Sequence, residues 1–206
     1  MLGGDVVGAG RVSLLGAPGR PAVTGGQVAV RDYETADEAS WLRCRVLAFL
    51  ATSSYDDVWP VKRRTDLELV AAGGDGVVGV LDVSVPGEGA VVETVAVHPD
   101  HQRRGVATAL LGEAVRRLAR CGVRTLEVSV REDEPVLSWL ARNGFVETSR
   151  SLHVYASEDE VGTVVSARYG LTPVGAFLHA RIERETELRQ RFERVHVCRG
   201  MVRGLV

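Results

Sequence analysis

The chain has little lysine and few aromatic residues. Lys62 is the only lysine among 25 basic residues, so arginine supplies almost all of the positive charge. Aromatic residues make up 5% of the 206 residues, and the formal net charge is −2. A chain that binds nucleic acid normally carries a clear excess of positive charge. We therefore expect no nucleic-acid partner.

Long apolar runs and paired cysteines are also missing. No stretch approaches the 18 apolar residues that a membrane-spanning helix needs, so we expect no membrane association. Cys44, Cys121 and Cys198 are odd in number and widely spaced, which predicts reduced thiols and a cytoplasmic location. His98 and His101 are three residues apart, but no third ligand stands near them, and we expect no metal site.

Residues 1–26 show no sustained hydrophobic period. They are rich in glycine and small residues, which predicts a flexible tail. No basic start is followed by an apolar run, so a signal peptide is not expected. The segment Val6–Arg11 is similar to the opening of a dinucleotide-binding fingerprint, but Ser13 stands where the third glycine is required.

From Gln27 onward, strand and helix patterns alternate. Apolar alternation and turn residues predict strands at Val28–Arg31, Leu67–Ala72, Val77–Val85, Ala90–Val97, Leu126–Val130, Phe145–Tyr155 and Val195–Val202. Apolar spacing and capping residues predict helices at Thr35–Phe49, Asp57–Thr65, Arg104–Cys121, Glu134–Arg142 and Glu183–Phe192. Two capping boxes are predicted, one from Thr35 to Glu38 and one from Ser157 to Glu160.

The most informative segment joins the strand that ends at Val97 to the helix that follows. A turn with a proline brings Gln102, Arg103 and Arg104 to the start of that helix, and Gly105 allows another group to approach the backbone. The first N–H groups of a helix lack intrahelical partners and lie at the positive end of its dipole. Such an end binds phosphate, and arginines add charged donors.

This pattern, Gln-x-x-Gly-x-Ala after Val-x-Val-x-Pro, resembles the acetyl-CoA motif of the GNAT N-acetyltransferase superfamily. The resemblance covers Gln27–Tyr155, which we expect to be one GNAT domain. It implies a mixed α/β fold, with a splayed central sheet of about six or seven strands flanked by helices. Residues 156–206 are then a C-terminal extension with helices and the last strand of the sheet, expected near a homodimer interface.

The resemblance also implies how acetyl-CoA, as cosubstrate, would be held. The backbone of the strand would pair with the pantetheine arm, and a backbone N–H near its centre would polarise the thioester carbonyl. Backbone N–H groups of the loop and helix start would hold the pyrophosphate. Asp133 stands where many members have an asparagine, and its carboxylate can accept but not donate a hydrogen bond. The implied cofactor-binding residues are Val95, Ala96, Val97, Gln102, Arg103, Arg104, Gly105, Val106, Ala107, Thr108 and Asp133.

The reaction needs a base that deprotonates the acceptor amine and an acid that protonates the leaving thiolate. Glu93 is the candidate base, because strand alternation places it on the same face as the apolar Val95. Many members carry a tyrosine as the acid at the position where this chain has Leu140. Ser138, Tyr155 or a water molecule are the alternatives, and the thiolate could also leave unassisted.

Two functions from different classes are compatible with these residues. The first is acetyl transfer from acetyl-CoA to an amine by direct attack in a ternary complex. The acceptor would be a small-molecule amine, a protein N-terminus or a lysine. Trp41, Tyr55 and Trp59 lie in the region that lines the acceptor site in this superfamily. They are expected either in the core, the interpretation favoured for Trp41, or as an aromatic wall for the substrate. The second is a non-catalytic module that binds acyl-CoA as a sensor or scaffold, which Leu140 favours.

Overall fold

The computed structural model describes residues 28–74 and 76–205, together with the backbone of Ala22–Thr24. The predicted tail, with its fingerprint-like segment, otherwise lies outside the described residues. Ala22–Thr24 departs from that prediction, because it forms a short strand that pairs antiparallel with the strand beginning at Val28.

One mixed sheet of nine strands organises the described residues. The strands are β1 (Ala22–Thr24), β2 (Val28–Asp32), β3 (Leu67–Gly73), β4 (Gly76–Ser84), β5 (Gly89–Val97), β6 (Thr125–Arg131), β7 (Val146–Ser157), β8 (Gly175–Arg181) and β9 (Arg194–Gly204). Their order across the sheet is β1-β2-β3-β4-β5-β6-β9-β7-β8. Only β5 and β6 are parallel; every other neighbouring pair is antiparallel.

Helices cover the two faces of the sheet unequally. The helices are α1 (Glu38–Phe49), α2 (Val106–Arg120), α3 (Glu134–Arg142), α4 (Glu158–Val161) and α5 (Glu185–Arg191), with short 3₁₀ turns at Thr35–Asp37, Pro99–His101 and Ile182–Arg184. The face on which α2 and α3 pack carries the largest apolar core, which includes Leu110, Leu118 and Leu140. On the opposite face, α1 packs on β3 to β5 through Trp41 and Cys44.

Apolar alternation continues into the second half of the sheet. Leu152 and Val154 of β7 and Val195 and Val197 of β9 form a third core with residues of α4 and α5. Val197 pairs with Leu152 across the ladder, so these side chains point to one face. The residues that alternate with them, such as His153 and His196, point to the face on which α1 lies.

The predicted mixed α/β class is confirmed, and most predicted elements are present within one or two residues of their expected bounds. The sheet has nine strands, more than the six or seven expected. The additional strands are β1 and β8, which lie at its two edges. β8 was not predicted, because Gly175 and two alanines give it little strand propensity and it pairs with β7 alone.

Two local predictions are wrong. The segment Asp57–Thr65 contains no helix and forms bends and extended backbone. It carries Pro60 and three consecutive basic residues, Lys62, Arg63 and Arg64, which leave no continuous apolar stripe. The first capping box lies one residue earlier than predicted, between Glu34 and Asp37, whereas the box from Ser157 to Glu160 is confirmed.

The sequence after Tyr155 is joined to the rest of the sheet. β7 runs through Ser157, and β9 lies between β6 and β7 with long antiparallel ladders on both sides. The extension therefore supplies two strands, β8 and β9, as well as α4 and α5. The domain boundary after Tyr155 stays a prediction. Among the described residues, no helix is both long enough and apolar enough to span a membrane.

The only lysine is buried in an ionic cluster beneath α1. Its Nζ lies 2.5 Å from Oε1 of Glu68 and 3.0 Å from Oδ2 of Asp82. Asp82 is fully buried on β4. Burial raises the pKa of Asp82 to about 6, and Lys62 opposes this shift. The folded protein therefore binds a proton at Asp82 more tightly than the unfolded chain does.

We expect Asp82→Asn to flatten the pH dependence of stability between about pH 4 and pH 6. Because the folded pKa lies above the ordinary value of 3.8, the stabilisation from protonated Asp82 is complete below pH 3.8 and is lost as the pH rises through about 6. Asparagine cannot ionise, so the variant should not lose stability over this pH range. Urea denaturation from pH 4 to 7 measures the free energy of unfolding at each pH, with Asp100→Asn, at an exposed position, as control. An unchanged slope for Asp82→Asn would contradict this account.

Candidate active site

The neighbouring strands β5 and β6 separate along their length. They pair in parallel only from Gly89 to Val91 on β5 and from Thr125 to Glu127 on β6. Beyond these residues β5 stays paired with β4, and β6 stays paired with β9. A gap therefore opens in the middle of the sheet, and backbone groups of both strands border it.

A β-bulge at Glu93 lies at the start of this gap. Asp82 pairs with Thr94 and Val83 pairs with Val92, so Glu93 is an extra residue with no partner on β4. Val92 and Val95 consequently pack on the same core, although three residues separate them. The prediction that Glu93 shares a face with Val95 is therefore wrong, because it assumed unbroken alternation. Glu93 is exposed.

A cleft of about 260 Å³ occupies the gap. Its walls come from both faces of the sheet. Val92, Val95, Val128 and Val130 belong to or pack against the core beneath α2 and α3. The remaining lining residues are Phe49, Thr52, Ser53, Ser54, Asp57, Glu93, Thr94, Ser129, Arg131, Asp133, Val136, His153 and Cys198. The cleft thus offers apolar surface together with polar groups, among them the three carboxylates of Asp57, Glu93 and Asp133.

The loop after α1 forms one wall of the cleft, and a buried arginine holds it. The guanidinium of Arg45 donates to the backbone carbonyl and to Oδ2 of Asp57. Its carbon Cζ lies 3.9 Å from the ring centroid of Trp59 and 4.4 Å from that of Phe49. Cation–π contacts of this kind are strongest where water is excluded.

The three aromatic residues expected near the acceptor site differ in their surroundings. Trp41 is fully buried in the core under α1 and stacks on Trp59 with centroids 5.9 Å apart. Neither lines the cleft. Tyr55 is exposed and lies under the guanidinium of Arg194, whose Cζ is 4.7 Å from the ring centroid. Tyr55 is therefore the one of the three that remains accessible from the open face.

The loop before α2 has the backbone that its sequence predicts. Nε2 of Gln102 donates to the carbonyl of Val97 at 3.1 Å, which ties the loop to the end of β5. Arg103 and Gly105 adopt left-handed backbone, with φ of 62° and 80°. Gly105 is the N-cap of α2, and no side chain caps this helix start. The segment from Gln102 to Gly105 is exposed, so N–H groups of the first turn face open space.

Other predicted site residues have protein partners near this helix start. Oγ1 of Thr108 accepts a hydrogen bond of 3.1 Å from Nε1 of Trp139, which connects α2 to α3. Asp133 is the N-cap of α3 and accepts from the backbone N–H of Val136 at 3.4 Å. Ala96 and Val106 are buried, and Ala107 is half-buried. Asp133 lines the cleft, whereas Thr108 does not.

The candidates for the general acid lie apart from the cleft. Leu140 is buried in the core. The hydroxyl of Ser138 donates to Oε1 of Glu134 one turn earlier on α3, at 3.2 Å. The hydroxyl of Tyr155 accepts a hydrogen bond from Arg131, and burial raises the pKa of Tyr155. Neither Ser138 nor Tyr155 lines the cleft.

The lining residues that were not predicted as site residues include Arg131, His153 and Cys198. Arg131 donates to the backbone carbonyl of Ser53 and so fixes the loop after α1 from the other side. Burial raises the pKa of Cys198, which keeps the thiol protonated. His153 and Cys198 come from β7 and β9, and sequence spacing gives no signal that these strands approach β6. Among the described residues, no cluster of three or more His, Cys, Asp or Glu side chains could bind a metal ion.

The family model described as acetyltransferase (GNAT) family matches residues 27–145. This match covers more than half of the chain. The chain belongs to the acetyltransferase (GNAT) family. The predicted resemblance is thereby confirmed, and membership supports acetyl-CoA-dependent acyltransferase activity for this GNAT chain. A search of curated proteins found no significant match.

Solved structures share the GNAT fold at low sequence identity. The ribosomal-protein-S18-alanine N-acetyltransferase from Escherichia coli has a TM-score of 0.56 and 17% identity, over 86% of this chain and 94% of that one. YncA from Salmonella typhimurium, with its cofactor acetyl-CoA, has a TM-score of 0.55 and 16% identity over 88% and 95%. The PaiA N-acetyltransferase from Thermoplasma acidophilum, in complex with coenzyme A, has a TM-score of 0.52 and 14% identity over 60% and 92%.

We expect Arg45→Met to loosen the cleft wall formed by residues 52–58. Methionine keeps much of the buried volume but removes two charged hydrogen bonds, together worth about 2–3 kcal/mol. Amide hydrogen exchange should therefore become at least about tenfold faster in this loop than in the unchanged protein. Arg43→Met is the matched control, because Arg43 is exposed on the same helix. Equal exchange in the two variants would show that Arg45 does not hold the loop.

Proposed function

We propose that this chain transfers an acetyl group from acetyl-CoA to an amine by direct attack in a ternary complex. The observation that supports this most strongly is the gap between β5 and β6, which is bordered by free backbone and lies near the uncapped start of α2. An acyl arm that enters the gap could pair with the backbone from Val95 to Val97 as an added strand. A backbone N–H near Val95 would polarise the thioester carbonyl.

The start of α2 is the proposed pyrophosphate site. The exposed N–H groups between Arg103 and Thr108 lie at the positive end of a helix of 15 residues, and they fit the oxygens of a pyrophosphate. Arg103 and Arg104 are exposed and add positive charge. Gln102 would contribute indirectly, because its hydrogen bond to Val97 positions the loop that binds the pyrophosphate. Asp133 would likewise contribute by capping the start of α3, and neither side chain would contact the cofactor directly.

The two sides of the cleft suit two different reactants. Acetyl-CoA would approach from the face of α2, where the walls are apolar, while the amine approaches from the face of the loop after α1. The amine nitrogen attacks the thioester carbon, and the tetrahedral intermediate collapses with cleavage of the C–S bond. An amide and coenzyme A are the products.

Glu93 is the proposed general base. Its carboxylate is exposed in the cleft, on the residue that the bulge turns away from the core. It would remove a proton from the ammonium group of the acceptor, directly or through one water molecule, so that the neutral amine can attack. The proton donor to the thiolate would be Ser138, Tyr155 or water. Ser138 and Tyr155 do not line the cleft, so α3 or β7 would have to move to bring them to the thiolate, whereas water needs no such movement.

The proposed acceptor is a primary amine, and its identity beyond that group is open. Asp57, Glu93 and Asp133 line the cleft, and carboxylates attract the ammonium form of an amine. A small-molecule amine, a protein N-terminus and a lysine side chain all present this group. Burial of Leu140 at the position of the family's tyrosine favours one alternative, a module that binds acyl-CoA without turnover. Release of coenzyme A in the presence of amines distinguishes the two functions.

Glu93→Gln should lower kcat about 100-fold or more, because glutamine keeps the size but cannot take a proton. The Kd of acetyl-CoA should change by less than about twofold, since the cofactor contacts lie elsewhere. Coenzyme A release and calorimetric binding measure the two quantities. Glu88→Gln is the matched control, because Glu88 is an exposed glutamate in the turn that precedes β5. Unchanged turnover of Glu93→Gln at pH 7 would remove Glu93 from this role.

Gly105→Ala should weaken binding of coenzyme A about tenfold, because a methyl group at the helix start obstructs the approach of the pyrophosphate. Gly122→Ala is a close control. Gly122 also has φ of 80°, lies at the other end of α2, and has no heavy atom within 4 Å of an added Cβ, as is true of Gly105. Both substitutions strain a left-handed residue by about 1 kcal/mol. Equal affinities in the two variants would place the pyrophosphate elsewhere.

A further inference from the structure

Four rings form a continuous row on the open face of the sheet. His153 and Tyr155 of β7 pair with His179 and Phe177 of β8, so the four side chains share one face. Ring centroids lie 4.6 Å apart for His153 and His179, 5.1 Å for His153 and Phe177, and 4.8 Å for Tyr155 and Phe177. We call these four residues the ring row.

The ring row is accessible, unlike the opposite face of the same strands. Leu152 and Val154 alternate with it and are buried beneath α4 and α5. Phe177 is 48% exposed, and His179 is exposed beside it. An apolar ring that is exposed next to a cleft is a common feature of ligand sites.

His153 connects the ring row to the cleft. Its side chain lines the cleft, and its Nδ1 is buried without a hydrogen-bond partner among the described residues. Because Nδ1 has almost no accessible surface, a ligand can contact this imidazole only through the rest of the ring. Burial and the neighbouring His179, Arg131 and His196 lower the pKa of His153 to about 4, so the imidazole is neutral at pH 7.

The two arginines next to the ring row are already paired. Arg194 binds both carboxylate oxygens of Asp56, at 2.7 and 2.8 Å, and covers Tyr155 with its guanidinium. Arg131 donates to the carbonyl of Ser53 and to the hydroxyl of Tyr155. The surface around Phe177 and His153 therefore suits an uncharged planar group, whereas the carboxylate of Glu93 in the cleft suits an ammonium.

We infer that the acceptor is a primary amine that carries an aromatic ring, and that the ring row is the subsite for that ring. The aromatic group packs on Phe177 and His153, and the amine donates a hydrogen bond to Glu93. His153 is a positioning residue in this arrangement, because its ring supports the aromatic group and takes no proton from the amine. The inference rests on the proposed function, since it assigns the substrate of the same cleft.

The test measures binding to protein saturated with coenzyme A, so no turnover occurs. Calorimetric titration compares 2-phenylethylamine with butylamine, which has the amine but no ring. We expect the unchanged protein to bind 2-phenylethylamine at least about tenfold more tightly. Phe177→Ala should abolish most of this preference. Tyr169→Ala, which removes a ring that is 95% exposed outside the ring row, should leave it intact.

Substitutions of His153 test the ring contact separately. His153→Phe keeps a ring beside Phe177 and should retain the preference for 2-phenylethylamine. His153→Asn removes the ring and should lower that preference at least about threefold, with little effect on butylamine. Equal preferences in the two variants would overturn the role of His153.

Several outcomes would overturn the subsite. Two of them are equal affinity for the two amines and an unchanged preference in Phe177→Ala. The third is concentration-dependent dimerisation that Phe177→Ala abolishes, because the ring row would then bind a second copy of the chain. Circular dichroism of each variant controls for folding. Coenzyme A release is measured in parallel: a ring preference in binding without turnover on any amine would contradict the proposed function alone, and turnover without ring preference would contradict this inference alone.

Discussion

The separation of β5 from β6 is the constraint on which the site depends. A single extra residue, Glu93, shifts the ladder with β4 and exchanges the faces of the following residues, so that Val95 packs where unbroken alternation would place Thr94. Pairing with β6 has already ended at Val91. The bulge follows directly after this point and turns a carboxylate into the cleft, which is bordered by backbone groups that β5 and β6 no longer share. An unbroken sheet would have none of these features.

The surroundings of the gap keep it open. On one face, α2 and α3 pack against both separated strands through a shared apolar core. On the other face, Arg45 and Arg131 hold the loop after α1 from opposite sides. β9 pairs with the other side of β6 over seven residues, which holds that strand in the sheet where it no longer pairs with β5. The cleft is thus a product of packing on both faces and pairing on both flanks.

The sequence predicted local features well and long-range features poorly. The helix α2 and the loop that ends at Gly105 follow from a short run of residues whose backbone requirements are local. The bulge could not be predicted, because both residues that flank Glu93 are ordinary strand formers and the shift depends on pairing with Asp82. His153 and Cys198 reach the cleft only through the insertion of β9 between β6 and β7, which no spacing in the sequence indicates. The helix predicted from Asp57 to Thr65 is replaced by a loop, since Pro60 and the lack of an apolar stripe disfavour a helix and Arg45 holds Asp57.

The placement of β9 has a consequence for biosynthesis. Residues 194–204 must thread between two strands that are encoded earlier, so β6 and β7 cannot acquire their native neighbours until this segment has left the ribosome. Strand pairing at such long sequence separation is slow, and partly exposed strand edges invite non-native association in the meantime. The first five strands and α1 share local ladders and can assemble earlier during translation. The wall of the cleft that carries His153 and Cys198 is therefore the last to form, and the cleft is complete only after residues 194–204 have been translated.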